Sequence, residues 1–146
     1  MDLREARRLQ PEISPSPDAA PFWEAAAQHR LLLPHCLDCD QPFFYPRVLC
    51  PTCGRRNLAW VEATGAGTLH SFCVHYHCPV PGLTDSVPFT TAMVDLAEGP
   101  RMMGFLVGTP DDPEAITCDV PVTVEFLDLD DGHTALAFRP DSPSEP

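Results

Sequence analysis

With 146 residues, the chain is long enough for one ordinary domain and a small appendage, and too short for two full cores. Hydrophobic residues make up 44% of it, yet no run approaches the roughly 20 apolar residues that cross a bilayer, which excludes a membrane-spanning helix. The formal net charge of -12 argues against binding phosphate backbones, and the absence of lysine removes Schiff-base chemistry from anything this polypeptide does alone.

The opening stretch Met1 to Arg8 mixes charges and lacks the apolar segment of a secretory signal, which points to a cytoplasmic protein. In that reducing compartment, seven cysteines with four in two C-x-x-C pairs indicate a metal rather than disulfides. Residues 1–20 carry Pro11, Pro15 and Pro17 among serines and charges with no apolar period, and read as a disordered arm. Asp18 stands where a helix cap is expected, Pro21 suits a first helical turn, and a short helix is expected over 21–32. Phe22, Trp23, Ala26, Ala27 and Arg30 share one face of it. A helix this short must dock that face, either on the protein's own core or on a partner.

Residues 33–58 form the metal segment. Cys36-Leu37-Asp38-Cys39 and Cys50-Pro51-Thr52-Cys53 each put two thiolates at the ends of a tight turn, and two such turns complete a tetrahedron. Gly54 after the second pair is free to take a left-handed conformation that turns N–H groups toward the sulfurs; Asp40 occupies the equivalent place after the first. Four thiolates leave no open coordination position, so one structural zinc ion is expected, with iron as the competing metal. Phe43, Phe44 and Tyr45 between the pairs read as the small module's own core.

From residue 59 to 140 the pattern becomes five extended segments: Ala66 to His77, Phe89 to Leu96, Arg101 to Val107, Val120 to Leu127 and Thr134 to Phe138. Asp130-Asp131-Gly132 supplies a hairpin turn before the last of these, and five short antiparallel strands fit an OB-type barrel. Residues 141–146 read as a tail. On the first segment Cys73, His75 and His77 share a face. That face is either a surface meeting a ligand or partner, or, less in keeping with the missing cavity and partner groups, a second metal site. The Pro-rich stretch Cys78 to Pro88 is a stiffened loop suited to recognition.

The order of these markers resembles a known family. Pro21-Phe22-Trp23-Glu24, the two cysteine pairs, Gly65-Ala66-Gly67-Thr68-Leu69-His70, Val94-Asp95-Leu96-Ala97-Glu98-Gly99-Pro100-Arg101 and the closing Phe138-Arg139-Pro140 are similar to zinc-ribbon plus OB-fold proteins of acyl-CoA metabolism, a domain-of-unknown-function family partnering thiolase-like enzymes. His75-Tyr76-His77-Cys78-Pro79-Val80-Pro81-Gly82 and Gly99 to Gly104 look most like members that accompany steroid side-chain aldolases and hydratases.

The resemblance implies a mainly β fold: an N-terminal helix, a rubredoxin-like zinc ribbon and a C-terminal five-stranded OB-fold barrel. It also implies an accessory subunit that binds a thiolase-like aldolase or acyltransferase in a hetero-oligomer and helps to form its acyl-CoA site or channel, with no catalytic residue of its own. Within that picture, Phe22, Trp23, His75 and His77 are candidate ligand- or partner-facing residues, and Arg47, Arg55 and Arg56 would attract CoA phosphates. Two other readings start from the same residues. Zinc ribbons and OB folds also bind single-stranded nucleic acids, which the acidity opposes; a stand-alone enzyme would be centred on His75 and His77.

Overall fold

Alternation of apolar and polar residues after Gly65 closes into a five-stranded barrel in this computed structural model, which describes residues 1–141; residues 142–146 of the expected tail lie outside the described residues. The barrel strands are β4 (Ala66–His75), β5 (Phe89–Leu96), β6 (Arg101–Leu106), β7 (Pro121–Asp128) and β8 (Thr134–Pro140), numbered after three ribbon strands. Their order around the barrel is β4-β5-β6-β8-β7. All pairs are antiparallel except β6 with β8, a parallel seam only two residue pairs long, Phe105 with Ala137 and Leu106 with Phe138. A bulge between Leu69 and Ser71 bends β4. The first barrel strand stops at His75, so Tyr76 and His77 stand in the loop beyond it rather than on the strand.

The ribbon precedes the barrel as a three-stranded sheet of order β2-β1-β3, with β1 at Leu31–Cys36, β2 at Gln41–Pro42 and β3 at Leu58–Ala63. The register of β1 on β3 runs from Leu31 opposite Ala63 to Cys36 opposite Leu58. Leu31, Leu33 and Ala63 belong to the same buried cluster as Leu69, Val94, Met102 and Phe138 of the barrel, so ribbon base and barrel share one core. Residues 59–63, expected in the barrel domain, therefore pair with the ribbon.

Two expectations for the N-terminal third are corrected. Helix α1 spans Ala20–Ala27 only, preceded by a 3-10 turn at Pro17–Ala19, and Asp18 makes no capping bond. His29 takes a left-handed conformation, φ 57, that ends the helix, and Leu31 to Cys36 then pair as a strand instead of extending the helix to residue 32. Phe22, Ala25 and Ala26 are its buried residues, whereas Ala27 and Arg30 are exposed. His29 is tied to the barrel: its Nε2 lies 3.0 Å from the Asp128 carboxylate and its ring stacks on Phe126.

Residues 1–20, expected as a disordered arm, are instead a strap over one end of the barrel. A 3-10 turn at Glu5–Arg8 lets Met1, Ala6 and Leu9 bury against Cys78, Phe89 and Val107. Three apolar residues spaced over one short turn give no period to read from sequence. The strap is stitched to the Pro-rich loop, with Gln10 N–H donating to the Gly82 carbonyl at 3.1 Å and Ser86 Oγ donating to the Arg8 carbonyl at 2.7 Å. Gly82 has φ +85, and a Cβ there would collide with the Gln10 carbonyl oxygen.

Candidate metal centre and apolar cleft

Each cysteine pair sits at the end of a chain reversal that the ribbon sheet fixes. Cys36 is the last residue of β1, buried and registered opposite Gln41 and Leu58; Cys39 follows one tight turn later. Cys50 is buried and its N–H donates to the Arg55 carbonyl at 2.9 Å, closing the second turn around Cys53. Asp40 and Gly54 both adopt left-handed conformations, φ 51 and φ 72, as the motif requires.

The four Sγ atoms all lie within 4.8 Å of one another, with Cys36 to Cys53 at 3.7 Å and Cys39 to Cys50 at 3.9 Å. An ion with tetrahedral metal–sulfur bonds of about 2.3 Å demands sulfur–sulfur edges of about 3.8 Å, so the donor set fits one four-thiolate metal ion. Backbone N–H groups already face the sulfurs: Cys39 N donates to Cys36 Sγ at 3.3 Å and Thr52 N to Cys50 Sγ at 3.4 Å.

Crowding splits the thiols electrostatically. N–H groups of Cys53 and Thr52 outweigh desolvation at Cys50 and hold its thiol down to about 6. Cys39, hydrogen-bonded by the Cys53 sulfur and desolvated, is pushed up to about 12, and Cys53 is also raised. Four anions cannot sit so close unless a cation neutralises them. Phe43 packs with Cys36 and Cys50 as the ribbon's own small core. Phe44, expected there, instead meets Phe22 of α1, while Tyr45 is 65% exposed.

The second candidate group does not assemble into a metal site. Among the described residues the four cysteines are the one cluster with metal-ligand geometry. His75 Nε2 is 2.9 Å from Thr91 Oγ1 and its ring stacks on Phe89, whereas His77 is exposed in the loop. Arg47, Arg55 and Arg56 are all exposed on the ribbon. Arg55 lies 3.8 Å from Asp38, and Arg47 and Arg56 have no ion-pair partner among the described residues.

Phe22 is buried, 3% exposed, and Trp23 is half-buried; their rings meet edge to face at 5.0 Å. Together with Phe44 and Tyr45 they form one wall of a cleft of about 220 Å³. The opposite wall comes from the barrel, chiefly Met102, Met103 and Phe105 beside the short β6–β8 seam. Of the aromatic wall, sequence reasoning singled out Phe22 and Trp23 as candidate surface residues but assigned Phe44 and Tyr45 to the ribbon's core. It missed the barrel wall and the strap residues Pro11 and Ile13 that flank it. The available signal was the Met102-Met103 doublet, which breaks strand alternation and leaves Met103 59% exposed.

Comparisons with known proteins agree with this architecture. Residues 23–59 match the family model described as ChsH2, rubredoxin-like zinc ribbon domain, and residues 60–127 match that of the ChsH2 C-terminal OB-fold domain. A probable enoyl-CoA hydratase alpha subunit of Thermomonospora curvata is 35% identical over 109 residues, 75% of this chain and 34% of that protein. The 3-oxo-4,17-pregnadiene-20-carboxyl-CoA hydratase alpha subunit of Mycobacterium tuberculosis is 38% identical over 98 residues, 65% of this chain and 30% of that protein. The chain thus spans about a third of the length of these two relatives. A solved chain of an assembly described as Ltp2-ChsH2(DUF35) aldolase superposes with a TM-score of 0.77 at 35% identity, covering 88% of this chain and 98% of the other.

Proposed function

Because this chain belongs to the ChsH2/DUF35 family, which joins a rubredoxin-like zinc ribbon to an OB fold, we propose that it is an accessory subunit of an acyl-CoA-processing complex. It binds a thiolase-like partner of the retro-aldolase or thiolase type, with steroid side chains as the substrate class, and helps to form the partner's acyl-CoA site. The observation that carries the reading is the near-complete overlap, at 35% identity, with a chain of an Ltp2-ChsH2(DUF35) aldolase.

The chemistry of the chain is consistent with a supporting role. Its clustered thiols are suited to one zinc ion held by Cys36, Cys39, Cys50 and Cys53, and four sulfur ligands leave no position for an activated water. The zinc fixes the ribbon, and the chain has no lysine to form a Schiff base. Exposed Arg47 and Arg56 supply uncompensated positive charge for CoA phosphates, on a chain whose second half is strongly acidic.

The test is co-expression with an Ltp2-type aldolase. The two should co-elute as one hetero-oligomer, and thioester carbon–carbon cleavage should need both chains. Separate elution together with full activity of the aldolase alone would refute the reading.

A further inference from the structure

We propose that the cleft between α1, the ribbon hairpin and the β6–β8 seam binds the neutral hydrocarbon body of a small amphipathic molecule, whose polar end projects through the open mouth. Taking that hydrocarbon as the acyl portion of a thioester rests on the proposed function; the site itself does not.

Charge is the first argument. No charged side chain lines the cleft, in a chain that is 21% charged, so it offers no ion pair to a phosphate, carboxylate or ammonium group. Removing such a group from water there would go uncompensated. The hydroxyl on its barrel wall, Thr91, is already engaged by His75 at 2.9 Å, which leaves contact with hydrocarbon as the main attraction.

Size is the second. An apolar cavity of about 150 Å³ accepts benzene, so about 220 Å³ accommodates a fused pair of rings or a branched chain of roughly eight to ten carbons.

The walls are the third. Trp23, Tyr45 and Phe105 line the cleft together with Met102 and Met103, a combination of rigid rings with adaptable thioethers that suits an apolar body of variable shape. The lining comes from elements far apart in sequence, and Phe22, Met102 and Leu136 are buried in the shared core with Trp23 and Phe44 packed against it, so the base of the cleft exists before any ligand arrives. A partner protein's apolar side chain is the competing occupant, and it predicts no affinity for a free small molecule.

The experiment uses the full zinc-loaded chain without any partner and the neutral fluorescent probe N-phenyl-1-naphthylamine. Saturable binding of one probe per chain is expected. Met103→Glu and Tyr45→Asp replace side chains that are 59% and 65% exposed, so both variants should keep the parent's thermal melt. Each places a charge at the cleft wall and should weaken the probe by about tenfold or more. Tyr76→Asp, at a residue 66% exposed and away from the cleft, should bind as the parent does. Failure of saturable binding, or equal loss in all three variants, overturns the site. Displacement of the probe by decanoyl-CoA supports an acyl occupant, and probe binding that decanoyl-CoA leaves untouched overturns that identification. Loss of the aldolase partnership alone would sink the proposed function and leave the cleft standing.

Discussion

Stripping the metal should unfold the tip of the ribbon and leave its base folded. Beyond Cys36, the small cluster of Phe43 with Cys36 and Cys50 is what the tip buries for itself. Full burial of one such aromatic contributes about 1.5–3 kcal/mol. A structural four-ligand zinc site contributes about 10–16 kcal/mol in small peptides at neutral pH, several times more. Ordering each residue's backbone costs about 1–2 kcal/mol, so Phe43 together with the half-buried Phe44 that packs on Phe22 cannot hold the residues between Leu37 and Asn57. The base differs, because Leu31, Leu33 and Ala63 are anchored in the barrel core. Hydrogen exchange measured by mass spectrometry, before and after stoichiometric chelation at neutral pH, reads this directly. Protection should vanish between residues 37 and 57 and persist in β1, β3 and the five barrel strands. Retained protection at the tip of a verified metal-free chain would refute the reasoning, as would simultaneous loss of the barrel.

Two further outcomes follow from the strap and from the surface carboxylates. Gly82→Ala should destabilise the protein by about 1–3 kcal/mol, since the new Cβ meets the Gln10 carbonyl in a backbone region that side chains disfavour, and limited proteolysis should then cut within residues 1–13. An unchanged melt and cleavage pattern would count against the strap. The carboxyls of Asp95, Asp128 and Asp131 are held below the ordinary 3.8 by hydrogen bonds, respectively from Arg101, from His29 and from the His133 backbone. Depressed folded-state values mean their stabilisation is present above the unfolded pKa and is lost as pH falls through the folded one. Carbon-detected NMR titration should therefore place all three midpoints under 3.8, and Arg101→Ala should return Asp95 toward it. Because Asp95 and Asp128 are 41% and 65% exposed, solvent screening keeps each effect on stability under about 1 kcal/mol.

Sequence pattern located the barrel well because its strands alternate and its turns carry glycine, as at Asp131-Gly132. It located the metal site because thiolate spacing is dictated by the ion. Where it failed, distant contacts overruled local preference. Leu31 and Leu32 extend a helical pattern on paper, yet β3 supplies a six-residue partner for Leu31 to Cys36 and a buried destination for Leu31 and Leu33. Met1, Ala6 and Leu9 are legible only once Phe89, Val107 and the loop around Leu83 present a surface to cover. The cleft lay beyond reach for the same reason, since its walls meet only after the strap, helix, hairpin and barrel have packed.

Motifs divide this chain near residue 59, where the ribbon pattern stops and the barrel pattern begins. Its shared core draws the line elsewhere. A fragment beginning at β4 would leave Leu69, Val94 and Phe138 without the leucines of β1, and an excised ribbon would present those leucines to water. Recombining ribbons and barrels among relatives at the motif boundary should therefore yield insoluble hybrids, whereas grafting only the loop between Cys36 and Asn57 should be tolerated. The transferable unit is the metal-bound tip; everything beneath it is inherited together.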